Sequence, residues 1–202
     1  DGRVQWDSVD EQRFHMDGAS LAIPGASPAG LDNRLQAYSA FLQGELASVL
    51  AAWQAQAKEP SYPVERIMLA EALADAGKVA ALPLIEGLRV DWPADAHALL
   101  GRLYWMQGKN EPAVLELTLA FAQYRQTPWA FRPVMTRALD LAEEIASSDR
   151  DAVRALAEAI RRPFCVGALS ALRQRKALSI ASRLDFSYSA SFVEAFEPNI
   201  PW

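Results

Sequence analysis

Three glycines divide the middle of the chain into units of almost equal length. Gly44, Gly77 and Gly108 are 33 and then 31 residues apart. Each glycine ends a stretch rich in Ala and Leu, in which apolar residues recur three and four positions apart, and a similar stretch follows it. This spacing is typical of amphipathic helices. A regular period of about 30 residues therefore predicts a repeated helix-turn-helix unit.

The third unit has the clearest pattern. Gly101 is a small residue where two helices would cross closely, and Tyr104 is a large residue able to fill the space beside it. The other positions that keep the period are Leu100, Ala113, Leu117 and Ala120. This unit resembles the tetratricopeptide repeat, which has about 34 residues. The second unit matches in part, since Leu82 and Pro83 replace the expected small residue, and the first matches less.

The resemblance implies an all-α fold, a right-handed superhelix of antiparallel helix pairs with a concave and a convex side. A single pair cannot bury both of its faces, so each pair must stack on the next. We expect repeats over residues 31–62, 63–93 and 94–125 and less regular helices over 128–196, all within one domain, 31–202. Residues 1–30 are punctuated by glycine and proline, which predicts an extended lead-in or linker.

Helices continue after the third unit without the glycine spacing. We expect one from near Arg132 to about Ala146 and a second that ends at Arg162, before Pro163. A capping helix, Val166–Leu184, should then cover the last apolar face of the array. Its inward residues are predicted to be Leu169, Leu172, Leu178 and Ile180, and its solvent-facing residues Arg173, Arg175, Lys176 and Arg183. The last expectation is a short helix from Ala190 to Phe196, with Phe196 and Trp202 packed on the preceding helices.

The first helix of each unit is expected to line the concave side. Mapping the repeat onto this sequence places nine residues on or near that side: Tyr38, Phe41, Ile67, Glu71, Asp75, Ala98, Arg102, Trp105 and Met106. Exposed Trp, Tyr, Met and Arg side chains often dominate binding energy, so we predict a binding surface made of Tyr38, Phe41, Glu71, Asp75, Arg102, Trp105 and Met106. In the alternative, Phe41 and Trp105 belong to the core, because a shift of one residue exchanges the two faces of a helix.

Composition excludes several classes of protein. The net charge of −5 argues against nonspecific nucleic-acid binding, which needs a broad positive field. No run approaches the roughly 20 apolar residues of a membrane span. The single cysteine, Cys165, is expected to be buried as a small hydrophobe. The chain begins with Asp1 rather than Met, so we interpret it as a processed or excised piece of something longer.

Few residues suggest a cofactor or a metal. His15 and His97 have no Cys or second His at ligand spacing, so no metal site is predicted, and His97 is expected to pack. The segment Gly25–Gly30 lacks the Lys-Ser/Thr of a phosphate-binding loop and is interpreted as a linker. No cofactor is predicted.

Charged clusters have two interpretations each. Glu71 and Asp75 share one helix face, and Asp140 precedes Glu143 and Glu144; solvated helix faces explain both sets, and a pair of catalytic carboxylates is the alternative. The basic groups near the end are Arg161, Arg162, Arg173, Arg175 and Lys176. They could bind an anionic headgroup or an acidic tail, but cations near a helix end and on a capping helix are expected in any case.

Three hypotheses about function follow. The leading one is a non-catalytic helical-repeat scaffold that binds a peptide, a partner protein or a neighbouring domain through its concave face. In the second, the tail resembles the soluble C-terminal extension of bacterial membrane proteins fused to a spermidine-synthase-like domain, through Pro163-Phe164 and the ending Glu197–Trp202. This resemblance implies a docking or assembly module of a larger, membrane-linked enzyme, in a bacterial protein of the cytoplasm or the periplasm. The third is a glycan-cleaving enzyme that uses carboxylates in the groove.

Overall fold

The computed structural model describes residues 31–56, 59–165 and 167–184. This part of the chain is all-α, with nine α-helices and no strand. They are α1 (Leu31–Gln43), α2 (Leu46–Gln54), α3 (Pro63–Asp75), α4 (Ala81–Leu88), α5 (Pro93–Met106), α6 (Asn110–Tyr124), α7 (Arg132–Ser148), α8 (Ala152–Arg161) and α9 (Ser170–Ala181), with a 3-10 turn at Gly167–Leu169. The predicted lead-in over residues 1–30, the predicted helix at 190–196 and Trp202 lie outside the described residues.

The three evenly spaced glycines end α1, α3 and α5, as the sequence predicts. Gly44, Gly77 and Gly108 have φ angles of +81°, +66° and +72°. This left-handed conformation favours glycine because it has no side chain. In each case the amide of the next residue bonds back five residues, as Lys109 N does to Tyr104 O at 2.9 Å, which closes a Schellman motif. The chain therefore turns at each glycine, and α1 packs on α2, α3 on α4, and α5 on α6.

The close approach predicted at Gly101 is confirmed in the pair α5 and α6. A Cβ atom at Gly101 would lie 2.8 Å from Leu117 Cγ and 3.3 Å from Ala113 O. Tyr104 packs partly buried against the core beside this crossing. Glycine at this position therefore lets the two helices come closer than any residue with a side chain would allow.

The two helices that follow agree with the prediction. α7 begins at Arg132 and ends at Ser148, and α8 ends at Arg161. The Asp149 side chain accepts hydrogen bonds from Asp151 N at 3.0 Å and Ala152 N at 3.3 Å, which satisfies amides at the start of α8. Buried apolar residues of all nine helices form one continuous core.

The predicted faces of α9 are partly wrong. Arg173, expected in water, is fully buried, and it donates to the carbonyl oxygens of Ile160, at 2.7 Å, and Arg161 at the end of α8. The last carbonyls of a helix have no partner within that helix, so a buried arginine is accommodated here. Leu178, expected inward, is 43% exposed. The amphipathic pattern misses the burial of Arg173 because the sequence alone does not distinguish an arginine that caps a neighbouring helix from an arginine on the surface.

Cys165 is exposed, so the prediction that it is buried is wrong. Its thiol donates to Arg125 O at 2.8 Å, and its amide donates to Tyr124 O at 3.1 Å. The residue lies in the connection after α8, where backbone hydrogen bonds rather than burial determine its place. None of the helices in the described part of the chain combines the length and the apolar character needed to cross a membrane.

Candidate functional site

Helix α7 lies against the residues predicted to line the concave side. Just before α7, the Phe131 ring stacks on the Phe41 ring of α1 with 5.8 Å between centroids. Near its end, Glu144 Oε1 accepts a hydrogen bond from Trp105 Nε1 of α5 at 3.0 Å. Between these two contacts, Arg137 reaches both α1 and α3. We call the set Phe41, Glu71, Asp75, Arg102 and Trp105 the α7-facing surface.

Arg137 binds the buried carboxylate of Glu71. Its Nε and Nη2 atoms lie 2.7 and 2.6 Å from Glu71 Oε1 and Oε2, a two-point contact, and Glu71 is only 1% exposed. The same guanidinium donates to Phe41 O at 3.2 Å and lies 4.4 Å from the centre of the Phe41 ring. The interpretation of Glu71 as part of a solvated face is therefore wrong. A buried carboxylate needs such a partner, because an unpaired charge in the interior is costly.

Arg102 extends this contact into a chain of alternating charges. Its Nη1 atom lies 2.6 Å from Asp75 Oδ1, and its Nε atom lies 3.8 Å from Glu71 Oε1. Its Nη2 atom also donates to the backbone oxygen of Arg137 at 3.3 Å. Glu71 and Asp75 thus share one guanidinium rather than facing each other, which is not the arrangement of a general acid and a general base.

The structure thus brings four of the seven predicted binding residues, Phe41, Glu71, Asp75 and Arg102, into one network around Arg137, and a separate hydrogen bond joins Trp105 to α7. Phe41 is buried, Trp105 is half-buried, and the carboxylate of Asp75 lies at the edge of the network. The other two, Tyr38 and Met106, are 44% and 49% exposed. Ile67 and Ala98, placed near the same side, are buried in the core.

Sequence reasoning missed the residues that contact this surface: Phe131, just before α7, and Arg137 and Glu144 within it. Arg137 lies among the buried positions Val134, Ala138 and Leu141 of α7. A basic residue beside such an apolar stripe was the available signal, but a surface arginine whose stem covers apolar side chains gives the same pattern. The repeat pattern did not identify the acidic partner of Arg137, because it describes neighbouring units and Arg137 binds Glu71 across 66 residues.

Asp95, in the first turn of α5, is a second buried carboxyl group. It accepts hydrogen bonds from Tyr124 Oη at 3.2 Å and from Phe131 N at 3.2 Å. Burial raises the pKa of Asp95 to about 7. Burial and the neighbouring Asp95 also raise the pKa of Tyr124 well above its usual value. The Asp95 carboxyl group thus connects α5 and α6 with the start of α7. In the sequence, Asp95 is recognisable only as an acidic residue near a helix N-terminus.

His97 pairs α5 with α6. Its Nδ1 atom lies 2.6 Å from Glu116 Oε2, and both side chains are half-buried. Within residues 31–56, 59–165 and 167–184, His, Cys, Asp and Glu side chains do not come together in threes in a way that would hold a metal ion.

The basic groups near the end are largely engaged within the chain. Lys176 Nζ lies 2.8 Å from Asp140 and 2.5 Å from Glu143. Hydrogen bonds from Lys176 and Ser179 lower the pKa of Glu143. Arg173 is buried and Arg161 binds Glu158 at 3.1 Å, so three of the five basic residues are engaged within the chain.

A groove between α6 and α8 forms an open, largely apolar recess in the described part of the chain. Its volume is about 410 Å³, and we call it the α6–α8 groove. It is lined by Glu111, Val114, Leu115 and Thr118 from α6 and by Asp149, Asp151, Ala152 and Ala155 from the start of α8. Leu115 is 59% exposed. Three of the lining residues are acidic and none is basic.

A second groove, between α1 and α2, has a volume of about 530 Å³ and a different lining. Amide, hydroxyl and alanine side chains predominate there, with Glu45 as the one charged residue among those that line it. It offers neither a large apolar side chain nor a concentration of charge, which are the features that usually anchor a partner.

Comparison of the chain with protein-family models, with curated proteins and with solved structures finds no match in any of the three. Only the geometry of the described residues therefore bears on the function of the chain.

Proposed function

We propose that this chain is a non-catalytic helical-repeat scaffold that binds a segment of another protein, or of another part of its own longer chain, in the α6–α8 groove. The proposal includes a right-handed, tetratricopeptide-like superhelix for the three hairpins. The recurrent glycine turns and the close crossing at Gly101 support that arrangement. The observation that carries the binding proposal is the α6–α8 groove itself, an apolar recess with Leu115 exposed at its edge.

The α7-facing surface is a poorer candidate for a partner. Its central carboxylate, Glu71, is buried and bound at two points by Arg137. A ligand entering there would have to displace α7 and leave Glu71 without its main partner, which costs about 3–5 kcal/mol for a buried pair. We infer that these residues hold α7 in place.

The charges favour binding rather than catalysis. Glu71 and Asp75, the carboxylates considered for glycan cleavage, are both bound by Arg102 and lie among packed helices. A general acid and its partner carboxylate must face a substrate between them. An open apolar groove, by contrast, is a common site for docking a helix or a peptide.

Site-specific photocrosslinking tests this proposal. A benzoylphenylalanine residue would replace Leu115 in the full protein, expressed in its native cells, and the adduct would be identified by mass spectrometry. The matched sites are Met106, beside the α7-facing surface, and Val90, an exposed residue remote from the groove lining. We expect one discrete adduct from position 115, lost when Ala155→Glu fills the groove, and none from position 90.

Two outcomes would contradict the proposal. An adduct from position 106 but not from position 115 would assign binding to the concave side as the repeat pattern predicts it. Adducts of equal yield from all three positions would show random collisions. Circular dichroism of each variant confirms that the helices remain folded.

A further inference from the structure

The α6–α8 groove has an apolar floor and an acidic rim, and this combination restricts its partner. Val114, Leu115 and Thr118 follow the helical spacing of α6, while Ala152 and Ala155 of α8 are too small to fill the space opposite them. Leu119, one turn beyond Leu115, is also exposed and continues the apolar strip. The recess therefore suits a large aliphatic side chain that a partner inserts between the two helices.

The rim carries negative charge on both sides of that recess. Glu111 lies on α6, and Asp149 and Asp151 lie at the start of α8. Asp149 already accepts two backbone hydrogen bonds, whereas no hydrogen bond or ion pair joins the Glu111 or Asp151 side chain to another described residue. The latter two carboxylates therefore remain open to a partner.

The position of these acids in their own helices accounts for each of them separately. A carboxylate in the first turn stabilises the positive end of a helix, and Glu111 and Asp151 both lie at such ends. Stabilising a helix end does not explain why Glu111 and Asp151 border the same apolar recess. It also does not explain why the residues that line this recess include no basic one. A cation beside the inserted side chain would meet two carboxylates on opposite walls.

We propose that the partner segment is an amphipathic helix whose aliphatic anchor is flanked by Lys or Arg, the anchor entering between α6 and α8 and the cations meeting Glu111 and Asp151. This inference rests on the proposed function and specifies its partner. The apolar contact supplies affinity, and the charges supply orientation and rate of encounter.

Four synthetic peptides of about 16 residues, long enough to form a helix on binding, test the inference on the full protein. The first has Leu on one helical face and Lys on the other. In the second and third, Glu or Gln replaces Lys, and the fourth is a scrambled Leu/Lys sequence. Binding is measured by fluorescence anisotropy. We expect the Leu/Lys peptide to bind at least about tenfold more tightly than the Leu/Glu peptide, and to lose about tenfold in affinity between about 50 and 300 mM salt.

Matched variants separate the groove from the general negative charge of the protein. Leu115→Ser should weaken binding of the Leu/Lys peptide about tenfold or more, because the anchor loses its main contact. Glu111→Gln with Asp151→Asn should weaken it about tenfold. The control pair Glu45→Gln and Asp91→Asn removes the same charge outside the groove lining and should change affinity less than about twofold. Thermal unfolding shows that each variant is folded.

The possible failures are distinguishable. If the Leu/Gln peptide binds as tightly as the Leu/Lys peptide and still depends on Leu115, the charge preference is overturned while the proposed docking function stands. If the control pair weakens binding as much as the rim pair, or the scrambled peptide binds equally, the attraction is nonspecific and the inference is overturned. If no peptide binding depends on Leu115 and crosslinking at 115 also fails, the groove is not a docking site. Salt-sensitive self-association lost in Leu115→Ser would assign the groove to a second copy and overturn the inference.

Discussion

Replacing Arg137 by Met tests whether α7 is held by a buried ion pair. The change removes two charge-assisted hydrogen bonds, at 2.7 and 2.6 Å, from a carboxylate that is 1% exposed. Removing one partner of a buried pair costs about 3–5 kcal/mol. Arg102 Nε remains 3.8 Å from Glu71, and a Met side chain replaces the apolar stem of the arginine. We therefore expect the lower end of that range, about 3 kcal/mol.

The assay is thermal and urea-induced unfolding followed by circular dichroism. For a chain of this size, a loss of about 3 kcal/mol lowers the melting temperature by roughly 6–12 °C. The matched control is Arg66→Met, which removes an exposed arginine from α3, the helix that carries Glu71. A surface change of this kind should alter the free energy of unfolding by less than about 0.5 kcal/mol.

A double variant separates the loss of the pair from the loss of packing. In Arg137→Met with Glu71→Met no charge is left without a partner, so stability should recover by at least about 1 kcal/mol relative to Arg137→Met alone. The reasoning is refuted if Arg137→Met is as stable as the Arg66→Met control. It is also refuted if the two changes at positions 137 and 71 are simply additive, because additivity means that the residues are not coupled.

Three further changes have expected outcomes. Burial raises the pKa of Asp95 from 3.8 to about 7, so between these values the folded protein holds a proton that the unfolded chain releases. The free energy of unfolding therefore falls by about 4 kcal/mol through this group as pH rises from about 4 to about 7. Asp95→Asn should remove that part of the pH dependence, measured as the difference between the two urea-unfolding curves across pH. Gly101→Ala should lower the free energy of unfolding by about 1–2 kcal/mol because the added Cβ would meet Leu117. The control Gly87→Ala in α4 has open space around it and should raise the free energy of unfolding by up to about 1 kcal/mol. Arg173→Met leaves carbonyl oxygens at the end of α8 without their donor and should cost about 2 kcal/mol, with hydrogen exchange accelerated first at that end of α8.

The hairpins were predictable because their turns are determined locally. Gly44, Gly77 and Gly108 specify a left-handed residue at the end of a helix, and that requirement acts within about six residues of chain. The crossing at Gly101 was also predictable, because a glycine inside an otherwise helical pattern usually has a packing reason.

The buried charges could not be located in the same way. Glu71 and Arg173 are residue types usually found on the surface, and only a partner from another helix makes their burial tolerable. For Glu71 that partner is 66 residues away in the sequence, and for Arg173 it is a pair of backbone oxygens with no sequence signature. Periodicity records which face of a helix is apolar, but it does not record which polar residues are paired.

The placement of α7 follows from these pairs and changes the interpretation of the predicted site. The repeat pattern predicts Phe41, Glu71, Arg102 and Trp105 as binding residues because it places them on the concave side, where exposed aromatic and charged side chains often anchor a partner. The same side chains are those needed to hold a helix of the same chain, since the chemistry of binding a partner and of packing a segment is identical. The sequence therefore identified a contact surface, and the structure places α7 on it.

The α7-facing surface and the α6–α8 groove differ in how many of their charged and apolar side chains already have a partner within the chain. On the α7-facing surface, Glu71, Asp75 and Arg102 neutralise one another or meet α7 at distances of 2.6–3.8 Å, so a partner would gain little and would have to break existing contacts. In the α6–α8 groove, the Glu111 carboxylate and the exposed Leu115 have no such internal partner among the described residues. Free energy for association is available where apolar surface and charge are still solvated, because only those groups change their surroundings on binding. This asymmetry is the physical reason for proposing that a partner binds in the groove rather than on the surface that the repeat pattern selects.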